Sequence, residues 1–210
     1  MPARPRKIIY YFSMLSPWAY IGQALFNQIV ARHQLRVVYR PVFLPGLFGE
    51  SGGVVLAKRH PLRLRYRWLE MQRWRLKRGL TFSLTPKYWP FDLKLSDGLV
   101  IAICAAGKDP ADFMLRVFRG AWEQDLNCSD EATLSAMLAA GGLDAPALLA
   151  AAKSEAVAET YASHHALALA DGAFGSPVYV LDGEAFWGQD RLELLDDALT
   201  SGRKAFLPLP

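Results

Sequence analysis

The order of secondary-structure signals predicts an α/β fold in which one mixed sheet draws its strands from both ends of the chain and carries a large all-helical insertion between them. Three observations lead there. Strand-like β-branched and aromatic runs occur at Lys7–Phe12 and 35–42 near the start, and at Val178–Leu181 and Glu184–Trp187 near the end. A helical pattern separates the first two, giving β-α-β. Asp182-Gly183, a strong two-residue hairpin signal, joins the last two, and a helical pattern follows, giving β-β-α. Two-stranded units are marginal alone, so the terminal pieces are expected to combine into one sheet.

After the first strand, Ser16-Pro17 opens a helix with Ser as N-cap and Pro at the first helical position. Trp18, Ile21, Leu25, Ile29 and Val30 form its apolar stripe. Leu35, Val37 and Tyr39 alternate as a second strand should. Pro45-Gly46 and Ser51-Gly52-Gly53 read as a loop. Helices are then expected at 62–77, 96–106, 110–124, 129–139, 146–152 and 154–170, with starts at Asp109-Pro110 and Ser129-Asp130-Glu131. Beyond the hairpin, Leu192, Leu194, Leu195, Ala198 and Leu199 mark a final helix ending at Gly202. The sheet domain is thus discontinuous, 7–45 and 172–203, with residues 46–171 as the insertion.

Composition narrows the function classes. The 210 residues are 52% hydrophobic, enough for a sizeable core. The start is basic, but the apolar run at 8–12 is too short for a signal peptide, and no later run approaches the ~20 residues of a membrane span. A cytoplasmic protein with no membrane partner is expected. Cys104 and Cys128 are the only cysteines, form no C-x-x-C pair, and read as structural free thiols, with Cys104 as a small buried hydrophobe. Nine Lys or Arg residues between Lys58 and Arg78 face one acid, Glu70, a local +8 in a chain of net charge +4. Apolar residues at 62, 66, 69 and 76 and at 64, 68 and 71 have helical spacing, which reads as a buried stripe with a solvated basic face. Attraction of an anionic ligand and nucleic-acid binding are the other readings. No nucleic-acid reader motif is present, and none is expected as a partner. His60 reads as a loop residue, with ligand contact as the other reading, and His164 and His165 are adjacent on one helix, a spacing that does not put two ligands on one face; no metal site is expected.

The chemistry concentrates at three points. The arrangement resembles thioredoxin-like proteins with a helical insertion, whose redox members place C-x-x-C where the first strand meets the first helix, because the helix N-terminus stabilises a thiolate. Here that tetrapeptide is Ser16-Pro17-Trp18-Ala19, so thiol-disulfide exchange at this site is excluded, and Ser16 is either a cap alone or also a functional hydroxyl. Phe174-Gly-Ser-Pro177 resembles the cis-proline loop of the same proteins. A cis Ser176-Pro177 bond is expected, leaving the Ser176 backbone to pair with an extended peptide. At Gln189-Asp190, exposed amides suit a carboxylate and the Asp190 side chain suits an ammonium, although Asp190 could simply cap the last helix.

Together Leu15-Ser-Pro-Trp-Ala-Tyr20, Phe174-Gly-Ser-Pro177 and Phe186-Trp-Gly-Gln-Asp-Arg-Leu-Glu193 resemble the motifs of 2-hydroxychromene-2-carboxylate isomerases and the related kappa-class glutathione transferases, with Pro86 and Trp89-Pro90 also reminiscent of them. The resemblance implies glutathione as cofactor, bound by Ser16, Pro17, Ser176, Pro177, Gln189 and Asp190. Ser16 would be the catalytic residue, contacting the sulfur. It further implies a homodimer and a small aromatic or electrophilic substrate. The leading expectation is an isomerase of hydroxychromene-type acids. A conjugating kappa-like transferase and a non-catalytic binding protein are the alternatives. Two positions depart from the family: Gly53 stands where Asn is common, and Gln189 where relatives often carry Asn or Ser.

Overall fold

A computed structural model describes residues 6–208; most of the basic start, residues 1–5, lies outside the described residues. The chain runs β1 (Lys7–Phe12), α1 (Pro17–Arg32), β2 (Arg36–Pro41), α2 (Leu44–Glu50), α3 (Pro61–Lys77), α4 (Lys94–Ala105), α5 (Ala111–Glu123), α6 (Glu131–Ala140), α7 (Ala145–Ala152), α8 (Glu155–Ala170), β3 (Val178–Leu181), β4 (Glu184–Trp187) and α9 (Leu192–Ser201). The sheet order is β2-β1-β3-β4, with β1 parallel to β2 and antiparallel to β3, and β3 antiparallel to β4. The ends of the chain build one mixed sheet, as the strand signals require.

Both faces of the sheet are covered, which follows from its two-residue alternation. Ile8, Tyr10, Phe12, Tyr179, Leu181 and Phe186 turn toward α1 and α9, in a core that continues into α4 and α5. Tyr11, Val178 and Val180 turn the other way, onto Leu47 of α2 and Ala168 of α8. The insertion therefore shares the core of the sheet. Tyr10, paired with Tyr39 and Tyr179 across the two neighbouring strands, stacks on Tyr179 with ring centroids 5.0 Å apart.

The turn chemistry explains the hairpin and the last helix. Asp182 and Gly183 adopt φ of 51° and 88°, the left-handed pair that matches strand twist in a two-residue hairpin. α9 ends at Gly202 with φ 64°.

Four readings are corrected. The segment around Pro45-Gly46 is helical: Pro45 falls in the first turn of α2, where its missing N–H is not needed, and Leu47 anchors the helix in the core. Cys104 is exposed near the end of α4; desolvation of its sulfur, with Asp109 nearby, still pushes the thiol up to about 11. Cys128 is buried and donates to the Val117 carbonyl. His60 is the N-cap of α3, its ring accepting from the Leu62 amide. The apolar stripe of α3 is not buried: Leu62, Tyr66, Leu69 and Leu76 face solvent, and Met71 is the helix's one buried residue. Helical spacing shows that residues share a face, not that another element covers it; α3 leans on the core through Met71 and Trp74, on its opposite side.

Among the described residues, no helix is long and apolar enough to cross a membrane.

Candidate active site

The site begins at the end of β1, where Ser13, Met14 and Leu15 turn the chain into α1. Ser16 is extended, with φ −82° and ψ 115°, and its hydroxyl accepts from the Ala19 amide at 3.2 Å. Its carbonyl accepts from the Tyr20 amide. Pro17 has no N–H, so of the first-turn amides the Trp18 N–H alone lacks an acceptor among the described residues. It points from the positive end of a sixteen-residue helix.

Ser16 does more than cap. Its hydroxyl proton is directed to the Ser176 carbonyl, 3.1 Å away. The Ser176 hydroxyl in turn accepts from the Ser13 amide at 3.0 Å. Ser13, Ser16 and Ser176 are 1%, 4% and 8% exposed, so this three-serine junction is shielded from water on most sides. Ser176-Pro177 is cis, as expected from its loop, and so is Trp89-Pro90. Ser13 escaped the sequence reading: a serine at a strand end has no distinguishing local pattern.

The third segment is held by packing. Gly188 donates its amide to the Pro177 carbonyl at 2.9 Å, tying the start of the 189–190 segment to the proline loop. Its φ of 105° admits only glycine, and a Cβ there would lie 2.3 Å from an Asp190 carboxylate oxygen. Phe174 and Trp187 pack with ring centroids 4.6 Å apart, a contact that Gly175 permits.

Gln189 and Asp190 have different surroundings. Gln189 is 2% exposed, and its side-chain oxygen accepts two hydrogen bonds, each 3.2 Å, from the Arg78 guanidinium. Arg78 also bonds the Gln189 carbonyl and pairs with Glu193, so it fixes this segment to the end of α3. Nothing near Arg78 in sequence signals that task. Asp190 makes no capping bond to α9; its carboxylate is part-exposed, with only a long 3.4 Å contact to its neighbour Arg191. At Gly53, the Phe48 ring fills the space that a side chain would need, with a Cβ contact of 2.6 Å.

Gly22 of α1 sets how closely this segment approaches. A Cβ at position 22 would lie 2.8 Å from the Gln189 Cβ and 3.1 Å from the Tyr179 hydroxyl. Gly22→Val is therefore expected to lower stability by about 1–3 kcal/mol through overpacking, against less than about 0.5 kcal/mol recovered in helix propensity. Urea unfolding checks it, and a variant as stable as the parent would show that the segment yields freely.

A strand giving way to a helix N-terminus, faced by the proline loop that leads into the neighbouring strand, is the architecture of a thioredoxin-like protein, here with Ser16 and Ala19 at the two positions of the redox cysteines. The chain belongs to the family described as DSBA-like thioredoxin domain, which it matches over residues 7–200. It is also similar to 2-hydroxychromene-2-carboxylate isomerases. That of Sphingobium xenophagum is 28% identical over 201 residues, covering 92% of this chain and 98% of that protein. The one from Pseudomonas putida is 25% identical, covering 90% and 92%. A solved structure of 2-hydroxychromene-2-carboxylate isomerase superposes with a TM-score of 0.79 at 23% identity, covering 93% of this chain and 95% of that one.

Proposed function

We propose that the protein is a glutathione-dependent isomerase of 2-hydroxychromene-2-carboxylate-type aromatic acids, with Ser16 activating the glutathione thiol. The observation that carries this reading is the Ser16 junction: a hydroxyl that can donate, beside an unpaired Trp18 amide at the positive end of α1 and a Ser176 N–H without an acceptor among the described residues. The similarity to isomerases over nearly the whole chain gives the reaction class.

The spacing of these residues supports a ligand of glutathione's length. Gly22, against which Gln189 packs, is six residues beyond Ser16 on α1, or about 9 Å of helix. An extended tripeptide reaches about 10 Å. That spacing supports a reading in which a γ-glutamyl ammonium would meet Asp190 and a thiol would meet Ser16, with the Ser176 N–H pairing with the cysteinyl backbone. The Gln189 side chain is committed to Arg78, so the γ-glutamyl end would rely on Asp190 and backbone groups.

Held by Ser16, Ser176 and Asp190, glutathione would supply a nucleophilic thiolate for reversible addition to the conjugated oxo-acid. Ser16 would turn its proton from the Ser176 carbonyl to the sulfur, and the Trp18 amide would add a second donor. Both lower the thiol pKa without making serine the nucleophile.

Absorbance assays of hydroxychromene isomerisation with and without glutathione test the reading; turnover independent of glutathione would overturn it. Asp190→Ala is expected to weaken glutathione binding about tenfold, the loss of a charge-assisted hydrogen bond. Calorimetric titration measures this, and an unchanged affinity would remove Asp190 from the site.

A further inference from the structure

We infer that the pocket beside Trp18 is a carboxylate subsite for a planar aromatic acid, with the Arg59 and Arg67 guanidinium groups as its anion-binding elements. The inference rests on the reaction proposed above for its substrate, but on separate observations for its geometry. A cavity of about 490 Å³, within the range of roughly 300–1,000 Å³ usual for small-molecule sites, is lined by Trp18, Leu62, Tyr66, Arg59, Arg63, Arg67 and Glu70. Three cations and one acid is an unbalanced lining, and the acid is already taken: the Glu70 carboxylate is held by Arg73.

Arg63 is exposed, but Arg59 and Arg67 are not fully solvated surface charges. Arg67 is part-buried, with its guanidinium 5.9 Å from the Trp89 ring centroid and no carboxylate or hydrogen-bond partner among the described residues. Desolvation and the neighbouring Arg59 pull it down to about 10. Arg59 is also part-buried. Its Nε–H donates to the Val54 carbonyl at 2.8 Å, which leaves its two terminal NH2 groups unpartnered among the described residues. Desolvation and Arg63 lower it too. Partly desolvated like charges facing each other are unfavourable until an anion joins them, and a guanidinium fork matches a carboxylate.

The pocket adjoins the catalytic loop. Trp18, one wall of the pocket, is two residues from Ser16 on the first turn of α1. Trp89, under Arg67, donates its indole N–H to the Leu15 carbonyl at 3.0 Å. A carboxylate on Arg59 and Arg67 would leave its conjugated ring system along the Trp18 side of the cavity, toward the sulfur held at Ser16.

The test uses binding as well as turnover. The probes are 2-hydroxycinnamate and its neutral primary amide, titrated by calorimetry against the wild-type chain, Arg67→Gln, Arg67→Lys and the Arg59→Gln/Arg67→Gln double variant. The wild type should bind the acid about tenfold or more tightly than the amide. Arg67→Gln should erase most of that preference, and Arg67→Lys should restore part of it. Thermal melts and an unchanged glutathione titration establish that the variants are folded. Absence of any acid preference in the wild type, its survival in the double variant, or equal loss of acid and amide binding in Arg67→Gln would each overturn the subsite. Acid preference without glutathione-dependent isomerisation would keep the subsite and remove the proposed reaction. Isomerisation with an unchanged KM in Arg67→Gln would do the reverse.

Discussion

Ser16→Ala is expected to raise the titration midpoint of glutathione bound to the protein by about one to two units and to slow isomerisation at neutral pH by about ten- to hundredfold. The size follows from one hydrogen bond to a charged group, roughly 1.5–3 kcal/mol, at 1.36 kcal/mol per pKa unit. A free thiol titrates near 8.5, so a lowered midpoint matters most around neutrality, where it decides the thiolate fraction. If Ser16 acts through ionisation alone, the deficit should shrink as pH rises past the variant's midpoint. The substitution also removes the cap on the Ala19 amide and the bond to the Ser176 carbonyl. A stability loss of about 0.5–2 kcal/mol is expected on that account whether or not the hydroxyl serves catalysis. Ultraviolet absorbance of the thiolate against pH, with both proteins saturated with glutathione, separates the two roles. An earlier melt with an unmoved midpoint would leave Ser16 as a helix cap and nothing more.

Asp97→Asn is expected to remove a steep pH dependence of stability. Asp97, in the first turn of α4, is fully buried; one carboxylate oxygen accepts from the Tyr161 hydroxyl at 3.0 Å and the other has no partner among the described residues. Desolvation raises its pKa well above the usual carboxylate range against the lowering effect of Tyr161, and Asp92 adds to the rise. The sign follows. Above about pH 3.9 the unfolded chain releases this proton while the folded chain keeps it, so stability falls as pH rises toward the folded pKa. The slope approaches about 1.4 kcal/mol per pH unit. The amide that replaces the carboxyl in Asp97→Asn has no proton to release, so urea midpoints of the variant should fall less between pH 4.5 and 6.5 than those of the parent. Parallel profiles would show that Asp97 ionises in the folded chain near its ordinary value.

Much of the fold could be read along the chain because its determinants are local. The Ser16 cap, the Pro17 that follows it, the Asp182-Gly183 turn and Gly202 each act within a few residues, and each fixes the end of an element. The two-residue alternation of Lys7–Phe12 then specifies two opposed faces, and the shortage of strands in the middle forces the ends to pair. Ser16, the Ser176-Pro177 loop and Asp190 stand out as candidates for the same reason: each sits at an element boundary, where unsatisfied backbone groups give a short motif chemical meaning.

What the tertiary structure decided is how distant segments satisfy one another. Ser13 meets Ser176 across 163 residues, and Arg78 meets Gln189 across 111, and no local pattern encodes either bond. The same holds for α3, whose spacing declares an apolar face but not what lies opposite, so Leu62, Leu69 and Leu76 face water while Arg67 turns inward over Trp89. Asp97 has no distinguishing local pattern, and it becomes a desolvated acid only where α4 packs against α7 and α8. Sequence determines which residues share a face or end an element, because backbone sterics and hydrogen bonding act over one or two turns. Burial, and with it the charge state and partners of each polar group, depends on which surfaces meet, and that is set only when the chain closes on itself.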